Sequence, residues 1–287
     1  MEYIIKNEFL EATINSRGAE LIKLIDSNRI NRMHLPSSDT WNRVSPILFP
    51  QISRMPNSEY IVNNKVYTMA THGFIRDNEL ELVNQTDTEI TFKCSNNEKT
   101  FIMYPYEFIF YVTYRLNKNI LEVLFKVENP SDNKLLYMLG GHPGFKVPLF
   151  DDECYNDYSL VFEQKETSKR MCVVDWFIAN EYVDYLVDAN SIQLEHNLFL
   201  DDTLIFKNLN SNYVELVSKN HDKKIRFHFS DFEILAIWSK VEEYVNFLCL
   251  EPWNGIQKNF VKEHQKMGVL EIEPHSFNSY EYKIEVF

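Results

Sequence analysis

Apolar and polar residues alternate with a period of two in short runs along this chain, a spacing that buries one face of a pleated strand and leaves a helix without an apolar stripe. Tyr60-Ile61-Val62 and Val66-Tyr67-Thr68 flank Asn63-Asn64. Asparagine tolerates the left-handed backbone of a two-residue turn, so this stretch predicts a hairpin. Similar β-rich runs recur at Glu89–Lys93, Phe108–Tyr114, Ile120–Val127, Tyr213–Val217, Ile225–Phe229, Ile234–Trp238, Val245–Leu250, Val269–Ile272 and Tyr280–Val286. Clusters of Asn, Asp, Ser and Pro separate them, as turns require. The expected class is all-β, mainly antiparallel, built as a sandwich. Helical signals are short: Ser38-Asp39-Thr40-Trp41 before Pro46 predicts a turn or two, and Asn259–Lys266 predicts another. Residues 175–187 fit strand and helix equally. No β-rich run is regularly followed by 10 to 15 residues of helical pattern, which disfavours a parallel α/β sheet. Without a repeat, a low-complexity tract or a Pro/Gly-rich linker, residues 1–287 read as one β domain.

Composition narrows the function classes. Hydrophobic residues make up 45% of the chain and charged residues 25%, enough apolar surface for a substantial core. The net charge of −13 and the lack of Lys/Arg runs exclude nucleic acid as a natural partner. The N-terminal segment alternates charged and apolar residues rather than carrying a signal-peptide core, and no window approaches the length of a membrane span. A cytoplasmic protein without a membrane partner, monomeric or homodimeric, is the expectation. The four cysteines, Cys94, Cys154, Cys172 and Cys249, show neither CxxC nor zinc-type spacing and read as reduced thiols. Cys249 lies two residues before Glu251, where a nucleophile is conceivable but strand packing is the plainer reading.

Glycine placement points to function. Only seven glycines occur in 287 residues, and five of them fall in three short motifs: THGFIRD, LGGHPGF and CLEPWNG. Glycine serves left-handed backbone or close approach of the main chain to another group, and either suits loops that present side chains to a ligand. The three motifs supply His72, His142 and Glu251, whose pKa values can be tuned for proton transfer near neutrality. Pro143 and Pro252 directly follow His142 and Glu251 and push both toward extended, stiff backbone. Trp253, Phe145 and Phe74 accompany the motifs, with Arg54 and Arg76 nearby in sequence. Aromatic faces suit the apolar faces of a pyranose and guanidinium groups suit its hydroxyls, although Phe74 and Phe145 equally fit a core.

Five segments in order, PILFPQISR (Pro46–Arg54), HGFIRD (His72–Asp77), GGHPGF (Gly140–Phe145), DDTLIF (Asp201–Phe206) and CLEPWNG (Cys249–Gly255), resemble the aldose 1-epimerase, or galactose mutarotase, superfamily and within it the LacX-like branch. The resemblance implies a β-supersandwich with a sugar in an open cleft and no cofactor. By it, Glu251 is the base that takes the proton of the anomeric hydroxyl O1, and His142 is the acid that protonates the ring oxygen O5. Arg54, His72 and Asp202 are the implied hydrogen-bonding partners of the sugar, with Asp201 as an alternative to Asp202, and Trp253 is added as a wall of the site. Ser53 stands where related sequences usually carry glycine.

Three rival readings stay open. His72, His142 and Glu251 fit a two-His, one-carboxylate metal site. A non-catalytic carbohydrate-binding or sensing protein would keep the same cleft, and a hexose-6-phosphate mutarotase would add a phosphate site. The remaining histidines, His34, His196, His221, His228, His264 and His275, lack glycine company and read as structural or surface residues.

Overall fold

The computed structural model describes residues 1–242, 244–256 and 270–287. Its largest feature is a 15-stranded sheet. Every ladder between strands among the described residues is antiparallel, including the long pairings of Ile120–Asn129 with Ile109–Asn117 and with Ser276–Val286. Alternation produces this sheet directly. In Glu89–Ser95, Ile109–Asn117 and Tyr213–Ser218 every second residue is buried, so each strand places its apolar set on one side. A three-stranded sheet, Glu2–Lys6, Leu10–Asn15 and Glu20–Asp26, packs its buried side chains into the same apolar core, which also holds Phe92, Phe110, Phe125 and Tyr282.

The Asn63-Asn64 hairpin forms as its sequence predicts, joining Glu59–Val62 to Lys65–Thr68, with φ of 49° and 61° at the two asparagines. The ambiguous residues 175–187 belong to the second arm of a hairpin whose strands, Tyr158–Val174 and Phe177–Gln193, are 17 residues each. Asp175 and Trp176 make its tip, both on left-handed backbone.

Helical expectations fare differently. Ser38–Thr40 forms bends rather than a helical turn, because the Ser37 N–H donates to the Trp41 carbonyl at 3.0 Å, opposite in sense to a helical bond. The expected helix at Asn259–Lys266 lies outside the described residues. The one α-helix among the described residues, Glu98–Met103, carries a signal that sequence reading passed over. Asn97 accepts from the Lys99 and Thr100 N–H groups, and Thr100 Oγ1 accepts from the Asn97 N–H, a complete capping box. No helix among the described residues is long and apolar enough to cross a membrane.

Candidate active site

The strand Phe247–Asn254 is buried along its whole length and organises the site. Cys249, Glu251 and Trp253 alternate onto one face of it. Two short strands, Leu139–Gly141 and Gly144–Lys146, pair with this same strand, Gly140 opposite Trp253 and Gly144 opposite Cys249. Between them lies His142-Pro143. Proline has no N–H to donate, so the ladder breaks there, while the Leu250 N–H still donates to the Pro143 carbonyl at 3.1 Å. Continuing the register through the break sets His142 opposite Glu251, and His142 Nε2 lies 3.2 Å from Glu251 Oε1.

Two glycines make the site possible. Gly73, with φ of 74°, runs so close to the Phe49 carbonyl that a Cβ would sit 2.1 Å from its oxygen. A Cβ on Gly144 would meet the Trp41 ring at 2.8 Å. Through Gly73 the HGFIRD and PILFPQISR segments lock together: the His72 N–H donates to the Ser53 carbonyl at 3.0 Å, and the Ser53 N–H donates to His72 Nδ1 at 3.2 Å. His72 therefore carries its proton on Nε2.

All six residues singled out from sequence, Arg54, His72, His142, Asp202, Glu251 and Trp253, line one open cleft of about 240 Å³. Asp202 rather than Asp201 faces it, since Asp201 is largely exposed and pairs with Arg170 at 2.8 Å. Phe74 and Phe145 are core residues, while Arg76 reaches the cleft wall. Sequence reading missed the aromatic enclosure. The His142 ring lies 4.8 Å from the Trp41 ring and 5.7 Å from that of Trp238, with His72 edge-on at 5.7 Å. Trp176 at the hairpin tip faces Arg54 from 6.0 Å. The chain has four tryptophans, and all four line this cleft. Their scarcity was the available signal. His34, by contrast, is structural as expected: its ring bonds the Trp41 carbonyl and packs against Phe247.

Burial dominates the electrostatics. Desolvation pushes His142 down to about 3, with the Arg76 and Arg43 charges acting in the same direction. It drives Glu251 well above the usual carboxylate range, reinforced by Asp202 and opposed by Trp253. His72 is likewise held well below the imidazole range by burial and by His142. Burial thus favours the neutral form of both members of the central pair, whose facing atoms lie 3.2 Å apart. Four cleft residues, Ser53, His72, Trp176 and Asp202, also hold positive φ. Such backbone strain concentrates at functional sites.

A model of the aldose 1-epimerase family matches residues 1–269. The chain belongs to the aldose 1-epimerase family. Among family relatives, "Protein LacX, plasmid" of Lactococcus lactis subsp. lactis is 29% identical over 279 residues, covering 94% of this chain and 92% of that protein. The solved structure of a galactose mutarotase related enzyme from Lactobacillus acidophilus is 30% identical and covers 100% of this chain and 97% of its own, with a TM-score of 0.95. A galactose mutarotase-like protein from Lactobacillus casei is 27% identical over the full length of both chains, with a TM-score of 0.90.

Metal-ligating capacity in this cleft differs from the set that sequence suggested. Among the described residues, the ligand atoms that lie within 4.8 Å of one another belong to His142, Cys249 and Glu251, so Cys249 takes the place of His72. Cys249 is fully buried and its thiol is pushed well above its ordinary pKa, which makes it a poor thiolate ligand and a poor nucleophile. All four cysteines are free.

Proposed function

We propose that this aldose 1-epimerase family member is an aldose mutarotase that interconverts the α and β anomers of a free sugar by acid–base ring opening. The contact between His142 Nε2 and Glu251 Oε1, 3.2 Å apart in an open cleft walled by tryptophan, carries the reading. An entering pyranose parts the two groups and lies between them. The pair keeps one proton, now as imidazolium and carboxylate, stabilised by the polar ring atoms each side chain meets. Glu251 takes the proton of O1 while His142 gives its proton to O5, and the C1–O5 bond breaks. The open aldehyde is left facing a protonated Glu251 and a neutral His142, the same neutral pair that burial favours in the empty cleft. Rotation about C1–C2 turns the carbonyl over. His142 then takes the O5 proton as Glu251 returns a proton to O1, and the other anomer closes. No proton is exchanged with bulk water, and each group acts once as acid and once as base.

Arg54, His72 and Asp202 hold the sugar hydroxyls in this reading. His72 donates through Nε2, and Asp202 accepts. Trp253 supports Glu251 from the same strand face, and Trp41 and Trp238 keep His142 oriented. Polarimetry or NMR on freshly dissolved α-glucose and α-galactose tests the proposal. The protein is expected to speed the approach to anomeric equilibrium well above the buffer rate. Sugar binding with equilibration at the buffer rate would leave a carbohydrate-binding protein instead.

A further inference from the structure

The cleft continues beyond the His142–Glu251 pair. Val173, Trp176, Asp202 and Trp238 line it and also line an adjoining open chamber of about 650 Å³. The inner chamber, at about 240 Å³, is smaller than the roughly 300 to 1,000 Å³ typical of ligand pockets and suits a single ring. The outer chamber has room for another.

Its walls have a definite chemistry. Trp176 and Leu200 present large apolar surfaces to solvent, 68% and 72% exposed, with Val241 beside them. Such surfaces, uncovered at the mouth of a cleft, suit the C–H face of a pyranose. The polar lining is mostly acidic: Asp175, Glu242 and Asp201, the last paired with Arg170 at 2.8 Å, join Asp202, against Lys240 as the single cation lining the chamber among the described residues. Carboxylates accept hydrogen bonds from sugar hydroxyls and repel a phosphate or a second carboxylate.

We infer that the outer chamber is a subsite for a second, uncharged sugar ring, so that the preferred substrate class is a reducing disaccharide with its reducing-end ring in the inner chamber. This rests on the mutarotase reading, since that ring must present C1 and O5 to Glu251 and His142. Only the C1–O5 bond of the reducing ring breaks and re-forms. The glycosidic bond stays intact, because the proton of the pair is delivered to the ring oxygen and not to the bridging one.

The test compares anomerisation of glucose and galactose with that of sophorose, laminaribiose, cellobiose, gentiobiose and glucose 6-phosphate, by NMR exchange on the full chain. At least one linkage isomer is expected to exceed both monosaccharides in kcat/KM. Leu200→Trp and Val241→Trp fill the outer chamber from exposed positions away from the catalytic pair. Each is expected to lower that disaccharide's kcat/KM at least tenfold through KM, with glucose changed less than twofold. The inference is overturned if no disaccharide exceeds the monosaccharides, if glucose 6-phosphate exceeds every disaccharide, or if both variants leave disaccharide turnover unchanged. Loss of catalysis on every sugar would overturn the mutarotase reading along with it, whereas brisk turnover of monosaccharides alone would overturn only the subsite.

Discussion

In the chemistry proposed here His142 and Glu251 pass a single mobile proton between them and need no other. Glu251→Gln removes the base without changing shape. It is expected to lower kcat by about 10² to 10⁴, with sugar binding retained, as measured by polarimetry and calorimetry. His142→Asn is expected to act on kcat in the same way. A rise in KM with unchanged kcat would make His142 a binding residue. The same burial shapes the pH profile. The one-proton pair persists from about 3, where His142 gains a second proton, up to the raised pKa of Glu251. kcat/KM is therefore expected to show no midpoint near the ordinary imidazole value, and a midpoint near about 6.5 would mean a solvated His142. Ser53 offers a separate check. Its φ of 63° is left-handed, a backbone that glycine adopts without the clash a Cβ brings. Ser53→Gly keeps the backbone bond to His72 and should stabilise the fold by about 1 kcal/mol, read as a rise in Tm of roughly 2 °C.

At the scale of elements, the long hairpin brings Trp176 to the cleft and is anchored far from its tip by one buried carboxylate. Glu166 is 1% exposed and accepts four hydrogen bonds, from the backbone and side chain of both Asn210 and Ser211, at 2.7 to 3.1 Å. It sits between two register shifts of the hairpin, where the ladder cannot satisfy the neighbouring backbone. Glu166→Ala strands four donors and is expected to destabilise the protein by about 3 kcal/mol or more in urea unfolding. Loss of stability below 1 kcal/mol would show that water replaces the carboxylate. The interruption at His142-Pro143 is the matching device on the other side of the site. Two short strands and one long one form a rigid frame, and the break in pairing frees the imidazole to face the cleft.

For the whole molecule, keeping a neutral glutamic acid in the interior couples stability to pH. Glu251 stays protonated in the folded state well above the pH at which it ionises in the unfolded chain. Its contribution to stability is therefore full at acid pH and falls as pH rises past the unfolded value, by up to about 1.4 kcal/mol per pH unit for this one proton. Glu251→Gln, which has no proton to lose, should gain on the native protein as pH rises from the unfolded carboxylate value toward the raised folded one, when urea midpoints are compared. A constant difference across that range would mean that Glu251 is ionised in the fold. Chelation is the corresponding test of the metal reading. The protonated Cys249 and Glu251 offer a divalent ion little, so mutarotation is expected to survive exhaustive treatment with a chelator, and its loss would restore that rival.

Alternation and turn chemistry made much of this architecture legible from sequence: Ile234–Trp238 forms with the bounds its pattern predicts, and the Asn63-Asn64 turn follows from asparagine's tolerance of positive φ. Glycine scarcity marked the segments that approach one another most closely, because contacts such as that of Gly73 with the Phe49 carbonyl leave no room for a Cβ. Local patterns could not say which distant side chains would share a wall. Trp41 looked like a helix start and became the plate over His142, and Trp176 sat in a stretch without decisive periodicity. Nor could they fix the protonation of Glu251 and His142, which depends on how much water the assembled tryptophans and strands exclude. Residue identity set the chemistry available, and tertiary burial decided in which charge state it waits.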